Sequence, residues 1–174
     1  MLAWVNGSLV PEERATVSVL DRGFLFGDGV YEVVRYFAGY GVALDLHTDR
    51  LARSLQQVGI EGFDARQLGD IATALLGANS LADATLYLQV TRGAGTSRAH
   101  LPAPGLVPTV VALATPAPAL EQFTAPETMR LVTMPDPRWS RCDIKTTSLA
   151  GNVLCLMAAK AAGADECVLV RDGL

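Results

Sequence analysis

The chain has 174 residues, half of them hydrophobic and 18% charged, with a formal net charge of −4. That length allows one ordinary domain, or a small domain with part of another. It shows no apolar run long enough to span a bilayer and no basic stripe of the kind that binds nucleic acid, so it reads as a soluble, cytoplasmic globular protein.

The N-terminus, MLAWVNGSLVPEERA, has no basic start ahead of an apolar stretch and does not read as a secretory leader. The segment WVNGSLV reads as a hairpin turning at Asn6-Gly7. GVYEVVRYFAGYGVALDL reads as two strands joined around Gly39 to Gly41, with Tyr31, Val33, Arg35 and Phe37 on one face by the period of two. A helix is expected over TDRLARSLQQVGI, with Leu51, Leu55 and Val58 on one side and Gly59 as its stop. A second helix, DARQLGDIATALLGAN, aligns Leu68, Ile71 and Leu75. ATLYLQVTRG and PTVVALATP read as further strands.

These elements make an N-terminal α/β domain over 1–115. The Pro-rich stretch 116–126 reads as a linker. Residues 127–174 then read as the start of a second domain: a strand from Met129 to Met134, a loop holding Lys145, a helix from about Asn152 to Gly163, and a strand ECVLVRDGL. That is too little chain to close a core, so the C-terminal domain is expected to be truncated. Cys142, Cys155 and Cys167 have neither metal-ligand spacing nor an even count for a disulfide framework, which suits a reducing cytoplasm and no metal.

Only two of the fourteen basic residues are lysine. Arginine stays charged at any useful pH, whereas lysine can lose its proton and act as a nucleophile. Lys160 falls in the last turn of its expected helix, where the dipole favours a cation. Lys145 has no such reason for its place, and its neighbours Thr146, Thr147 and Ser148 can give and take hydrogen bonds. Arg50, with Arg53, falls in the first turn of its expected helix, where a cation is more comfortable with a docked anion such as phosphate. The stretch TRGAGTSRAH puts Arg92, Arg98 and His100 on a Gly-rich loop, a set of donors suited to a carboxylate. No Gly-Lys-Ser/Thr follows, so it is not a P-loop. His47 is a weaker candidate, as a helix cap or a supporting group, and Tyr31 alone could be a packed strand aromatic.

In order along the chain, DRGFLFGDGVYEVVR, LHTDRLARS, DIKTTSLAGNVL and AGADECVLVRDG resemble the signature segments of the fold-type IV pyridoxal-phosphate enzymes, the class IV aminotransferases. VYEVVR together with RGAGTSRAH is most similar to the D-amino-acid aminotransferases of that family. The resemblance implies a two-domain α+β fold, with a complete small domain and the beginning of a large cofactor-binding domain. It implies pyridoxal 5'-phosphate held by Lys145 through a Schiff base and by Arg50 through the phosphate, with Tyr31, Arg98 and His100 around the substrate α-carboxylate. It also implies a cytoplasmic homodimer, in which the loop of Arg98 and His100 reaches a neighbouring subunit's site. The expected reaction moves the amino group of a D-amino acid, such as D-alanine, to a 2-oxo acid such as 2-oxoglutarate.

Branched-chain amino-acid aminotransferases and aminodeoxychorismate lyases share the lysine segment and stand as alternatives, although they generally lack the Arg-x-His loop. An inert fragment or interaction module is the alternative of another class. SLAGN stands where relatives often have a Leu-Pro step. The chain stops before the Glu that the family places against the pyridine nitrogen, and before later Ser/Thr-rich turns of the phosphate cup.

Overall fold

Alternating burial along one strand organises the first part of the molecule. In β3 (Gly29–Phe37), Val30, Glu32, Val34 and Tyr36 are buried while Tyr31, Val33, Arg35 and Phe37 face the open side, as the period of two requires. The structure, a computed structural model, describes residues 1–173. It divides into two compact units, Met1–Gln122 with Ile144–Thr147, and Phe123–Asp143 with Ser148 onward. Residues 144–147, read from the sequence as part of the second domain, thus belong to the first unit.

The first unit is a six-stranded antiparallel sheet in the order β2-β1-β6-β5-β3-β4. Here β1 is Leu2–Val5, β2 Ser8–Pro11, β4 Tyr40–Gly41, β5 Ala84–Thr91 and β6 Thr109–Pro116. The β1–β2 turn is Asn6-Gly7, both at positive φ, the geometry whose twist matches that of paired strands. The helices α2 (Leu44–Val58) and α3 (Gln67–Ala78) cover one face, α2 on β3 and α3 on β6, β1 and β5. Their apolar stripes meet the sheet in a core that includes Leu51, Leu55, Leu68, Ile71, Leu75, Leu86, Leu88 and Val90. Each fully buried leucine contributes about 1.5–3 kcal/mol by leaving water.

Three local readings differ from the structure. The expected second strand through Leu46 is only the two residues of β4, because α2 begins at Leu44, a turn before Thr48. A short helix, α1 (Arg22–Phe26), has no periodic signature; it is set by Asp21, which accepts from Gly23 N, and by Gly27 in the left-handed region. The stretch from 116 to 122, expected as linker, is tied to the first unit. Ala117 N donates to Asp83 O, the Arg35 guanidinium donates to Pro118 O, and Leu120–Gln122 forms a 3-10 turn.

In the second unit β7 (Leu131–Pro135) pairs in parallel with β8 (Glu166–Val170), and α4 (Ala150–Ala161) connects them. Parallel neighbours need such a crossover. Asp136 accepts from Arg138 and Arg171, whose charge-assisted bonds hold its carboxyl well below the usual carboxylate range. Lys160 lies in the last turn of α4, 3.8 Å from Asp165. Leu174, the last residue of the expected final strand, lies outside the described residues.

Candidate active site

The lysine segment is stitched to the start of β3. Tyr31 N donates to Lys145 O at 3.0 Å, Thr147 N donates to Gly29 O at 3.0 Å, and Val30 and Thr146 form an antiparallel bridge. The Thr147 hydroxyl donates to Gly27 O, while Ile144 is buried in the core. Thr147 therefore fixes the backbone on which Lys145 sits, a different use of a hydroxyl from direct contact with the ammonium. Lys145 itself is half-buried. Its Nζ lies 4.1 Å from the centre of the Tyr31 ring, within range of a cation–π attraction. Among the described residues it has no carboxylate within ion-pair distance. The Tyr31 ring is flanked in turn by Tyr87, at 5.6 Å between centroids.

Arg50 reaches the same strand from α2. Because α2 starts at Leu44, Arg50 sits in its second turn and not in the first turn expected from the sequence, so the helix terminus does not account for its place. Its position comes from a carboxylate instead. Glu32 is fully buried and accepts from Arg50 Nε and Nη2, both at 2.7 Å. His47 Nδ1 lies 2.8 Å from Glu32 Oε2 and 3.3 Å from Arg50 Nη2. An imidazole nitrogen cannot donate to one and accept from the other at once, and the carboxylate is the better partner for an Nδ1–H. Burial pushes the Glu32 carboxyl up, but Arg50 and His47 outweigh it and hold the group below the usual range. The Arg50 side chain remains 39% exposed, and its Nη1 takes no acceptor among the described residues.

Glu32 is the residue that reading the open face of β3 misses. The signal is present in the sequence: a lone carboxylate between Val30 and Val34 on an apolar face demands buried cations, and His47 and Arg50 are three apart on one helix.

The Gly-rich loop divides by role. Arg92 is structural, since it donates to both oxygens of Asp28 and to the Val58 and Gly59 carbonyls that close α2. Gly93 has φ of +95°, and a Cβ there would overlap the Val107 carbonyl oxygen, so the loop leaves β5 in a conformation only glycine adopts easily. Arg98 and His100 are exposed, and both lie against Phe26 of α1. Lys145 thus lies over Tyr31 on the open face at the start of β3, while Arg50 is held from α2 by Glu32 of the covered face, near enough for Tyr31 to act on its charge. Among the described residues, no hydrogen bond, ion pair or ring contact joins Arg98 or His100 to them. No group of three metal-ligating side chains occurs among the described residues, and no helix among them is long and apolar enough to cross a membrane.

This donor set fits a group carrying both a carbonyl and a phosphate. Among the described residues it offers one amine without a carboxylate partner, over an aromatic face on a segment paired to β3, and one guanidinium held by Glu32 with a donor to spare.

Residues 29–173 match the family model for amino-transferase class IV. The chain is 41% identical over 172 residues to a D-alanine aminotransferase of Bacillus licheniformis, covering 97% of this chain and 59% of that protein. A branched-chain aminotransferase from Thermoproteus uzoniensis, solved with norvaline, matches at a TM-score of 0.83 and 26% identity over 99% of this chain and 60% of that one. A T.th. branched-chain amino acid aminotransferase with pyridoxamine 5'-phosphate matches at a TM-score of 0.82 and 24% identity, over 98% of this chain and 59% of that one, and speaks for the fold. The chain spans about three fifths of the length of these relatives.

Proposed function

Because the chain belongs to the class IV aminotransferases, a family of pyridoxal-phosphate enzymes, we propose that it moves the amino group of a D-amino acid to a 2-oxo acid. The observation that carries this reading is Lys145: its Nζ is held over Tyr31, with no carboxylate partner among the described residues, on a segment paired to β3. The match to a D-alanine aminotransferase at 41% identity supports the substrate class.

Lys145 would hold the cofactor's carbonyl carbon and Arg50 its phosphate. When bound, the cofactor supplies that carbonyl and a ring that takes up the electron pair left at Cα. The residues of this chain do the rest. Glu32 fixes two of Arg50's donors, so that Nη1 is presented to an anion without first having to be ordered. Tyr31 limits the sweep of the Lys145 side chain. Once freed by the substrate amine, Lys145 Nζ would take the proton from Cα as general base and hand it on, as general acid, to the cofactor carbon it had held instead of back to Cα. Arg98 and His100 receive the substrate carboxylate, and the face on which they hold it decides which Cα–H bond points at Lys145. We assign that role across a homodimer, the loop of one protomer serving its partner's site. The three free cysteines fit a reducing cytoplasm.

The structural match to a branched-chain aminotransferase favours one second reading, an L-specific enzyme. The two are separated by adding D-alanine or L-leucine singly to the pyridoxal-phosphate-loaded protein and following the cofactor absorbance. Rapid bleaching with D-alanine and a slow response to L-leucine is expected. The reverse order overturns the D-amino-acid reading.

A further inference from the structure

We propose that Arg22 and Phe26 are positioning residues for Arg98 and His100, a role that rests on the reading of that pair as the receiver of the substrate carboxylate. Arg98 and His100 lie on an exposed stretch, and the glycines before it, Gly93 and Gly95, give it little stiffness of its own. What fixes it is the Arg22 guanidinium, whose side chain is only 9% exposed. Nη1 donates to Ala99 O at 2.7 Å and Nη2 to His100 O at 2.8 Å, so one planar fork grips two consecutive carbonyls. Nε donates to Asp28 Oδ2 at 2.7 Å. Asp28 is anchored a second time by Arg92. Burial pushes the Asp28 carboxyl up, but Arg92 and Arg22 together hold it below the usual range.

The side chains have a second constraint. The Phe26 ring has Arg22 Cζ 4.8 Å and Arg98 Cζ 5.0 Å from its centre, with the His100 ring edge-on at 5.5 Å and 62°. Arg22 therefore sets the backbone of the loop, and Phe26 sets where its two functional side chains lean. A lysine at 22 keeps the charge beside Asp28 but cannot span both carbonyls with a planar fork. Neither residue touches the substrate in this account. Both act by removing the freedom that Arg98 and His100 must otherwise lose on binding.

The test uses Arg22→Lys and Phe26→Leu in the pyridoxal-phosphate-loaded protein, with Arg98→Met as reference and D-alanine as the probe. Amide hydrogen exchange over 97–101 is expected to speed up about tenfold in Arg22→Lys, the loss of two modest hydrogen bonds. KM for D-alanine is expected to rise by about the same factor, with a smaller fall in kcat. Should Arg22→Lys fail to fold, Phe26→Leu carries the test through the same KM rise. Raised KM in Arg98→Met, beside unchanged loop exchange and KM in both variants, overturns the positioning role and leaves the carboxylate reading standing. Unchanged KM in Arg98→Met removes the carboxylate reading, and the role given to Arg22 and Phe26 falls with it.

Discussion

Glu32→Gln isolates the contact that sequence reading misses. The carboxylate is fully buried and accepts at 2.7, 2.7 and 2.8 Å from two Arg50 nitrogens and His47. Glutamine keeps the shape and one acceptor, but removes the charge and turns amide hydrogens toward groups that are themselves donors. Breaking a buried pair by removing one partner costs about 3–5 kcal/mol. Arg50 is 39% exposed, so water recovers part of that loss and about 2–3 kcal/mol remains. For a domain of this size that is roughly 6–15 °C in Tm.

The same contact is sensitive to pH. The folded Glu32 pKa lies below its unfolded value, so the stabilisation is present above the unfolded pKa of about 4.3 and is lost as pH falls through the folded one. Thermal unfolding of both proteins at pH 7 and near pH 3 should show a gap in Tm that is wide at the first and narrow at the second. A gap under about 2 °C at pH 7, or one that stays constant on acidification, refutes the reasoning.

Arg50→Met removes the donor assigned to the cofactor phosphate, and affinity for pyridoxal phosphate should fall at least about tenfold in an absorbance titration. An unchanged affinity would take that role from Arg50. Thr147→Val deletes the hydroxyl that ties the lysine segment to Gly27 O and should cost about 1 kcal/mol in urea unfolding, with Thr147→Ser recovering most of it. Gly93→Ala puts a side chain at φ +95° against the Val107 carbonyl and should cost at least about 2 kcal/mol. Wild-type stability in that variant would mean the loop leaves β5 by another path.

Much of the fold is legible because its rules are local. The alternation of β3, the Asn6-Gly7 turn and the stripes of α2 and α3 follow from residue spacing alone. The start of α2 is not legible, because Leu44-Asp45-Leu46 alternates like the end of a strand until its tertiary partners are known. The helix α1 is five residues long, too short to show a period. At the site, Lys145 stands out by chemistry, yet its setting depends on pairing with residues more than a hundred positions away. The environment of Arg50 is illegible for the same reason: a helix boundary moved by one turn exchanges an anion at a helix terminus for a buried glutamate. Arg22 carries no local signal, since its partners Ala99 and His100 are backbone carbonyls.

The central claim is that Lys145 forms the covalent link to the cofactor, and a chain with only two lysines tests it cleanly. The protein is incubated with pyridoxal phosphate, reduced with borohydride, digested and mapped by mass spectrometry. A phosphopyridoxyl group is expected on Lys145, with Lys160 unmodified at stoichiometric cofactor and no stable adduct in Lys145→Ala. Equal labelling of both lysines, or labelling that survives in Lys145→Ala, would contradict it.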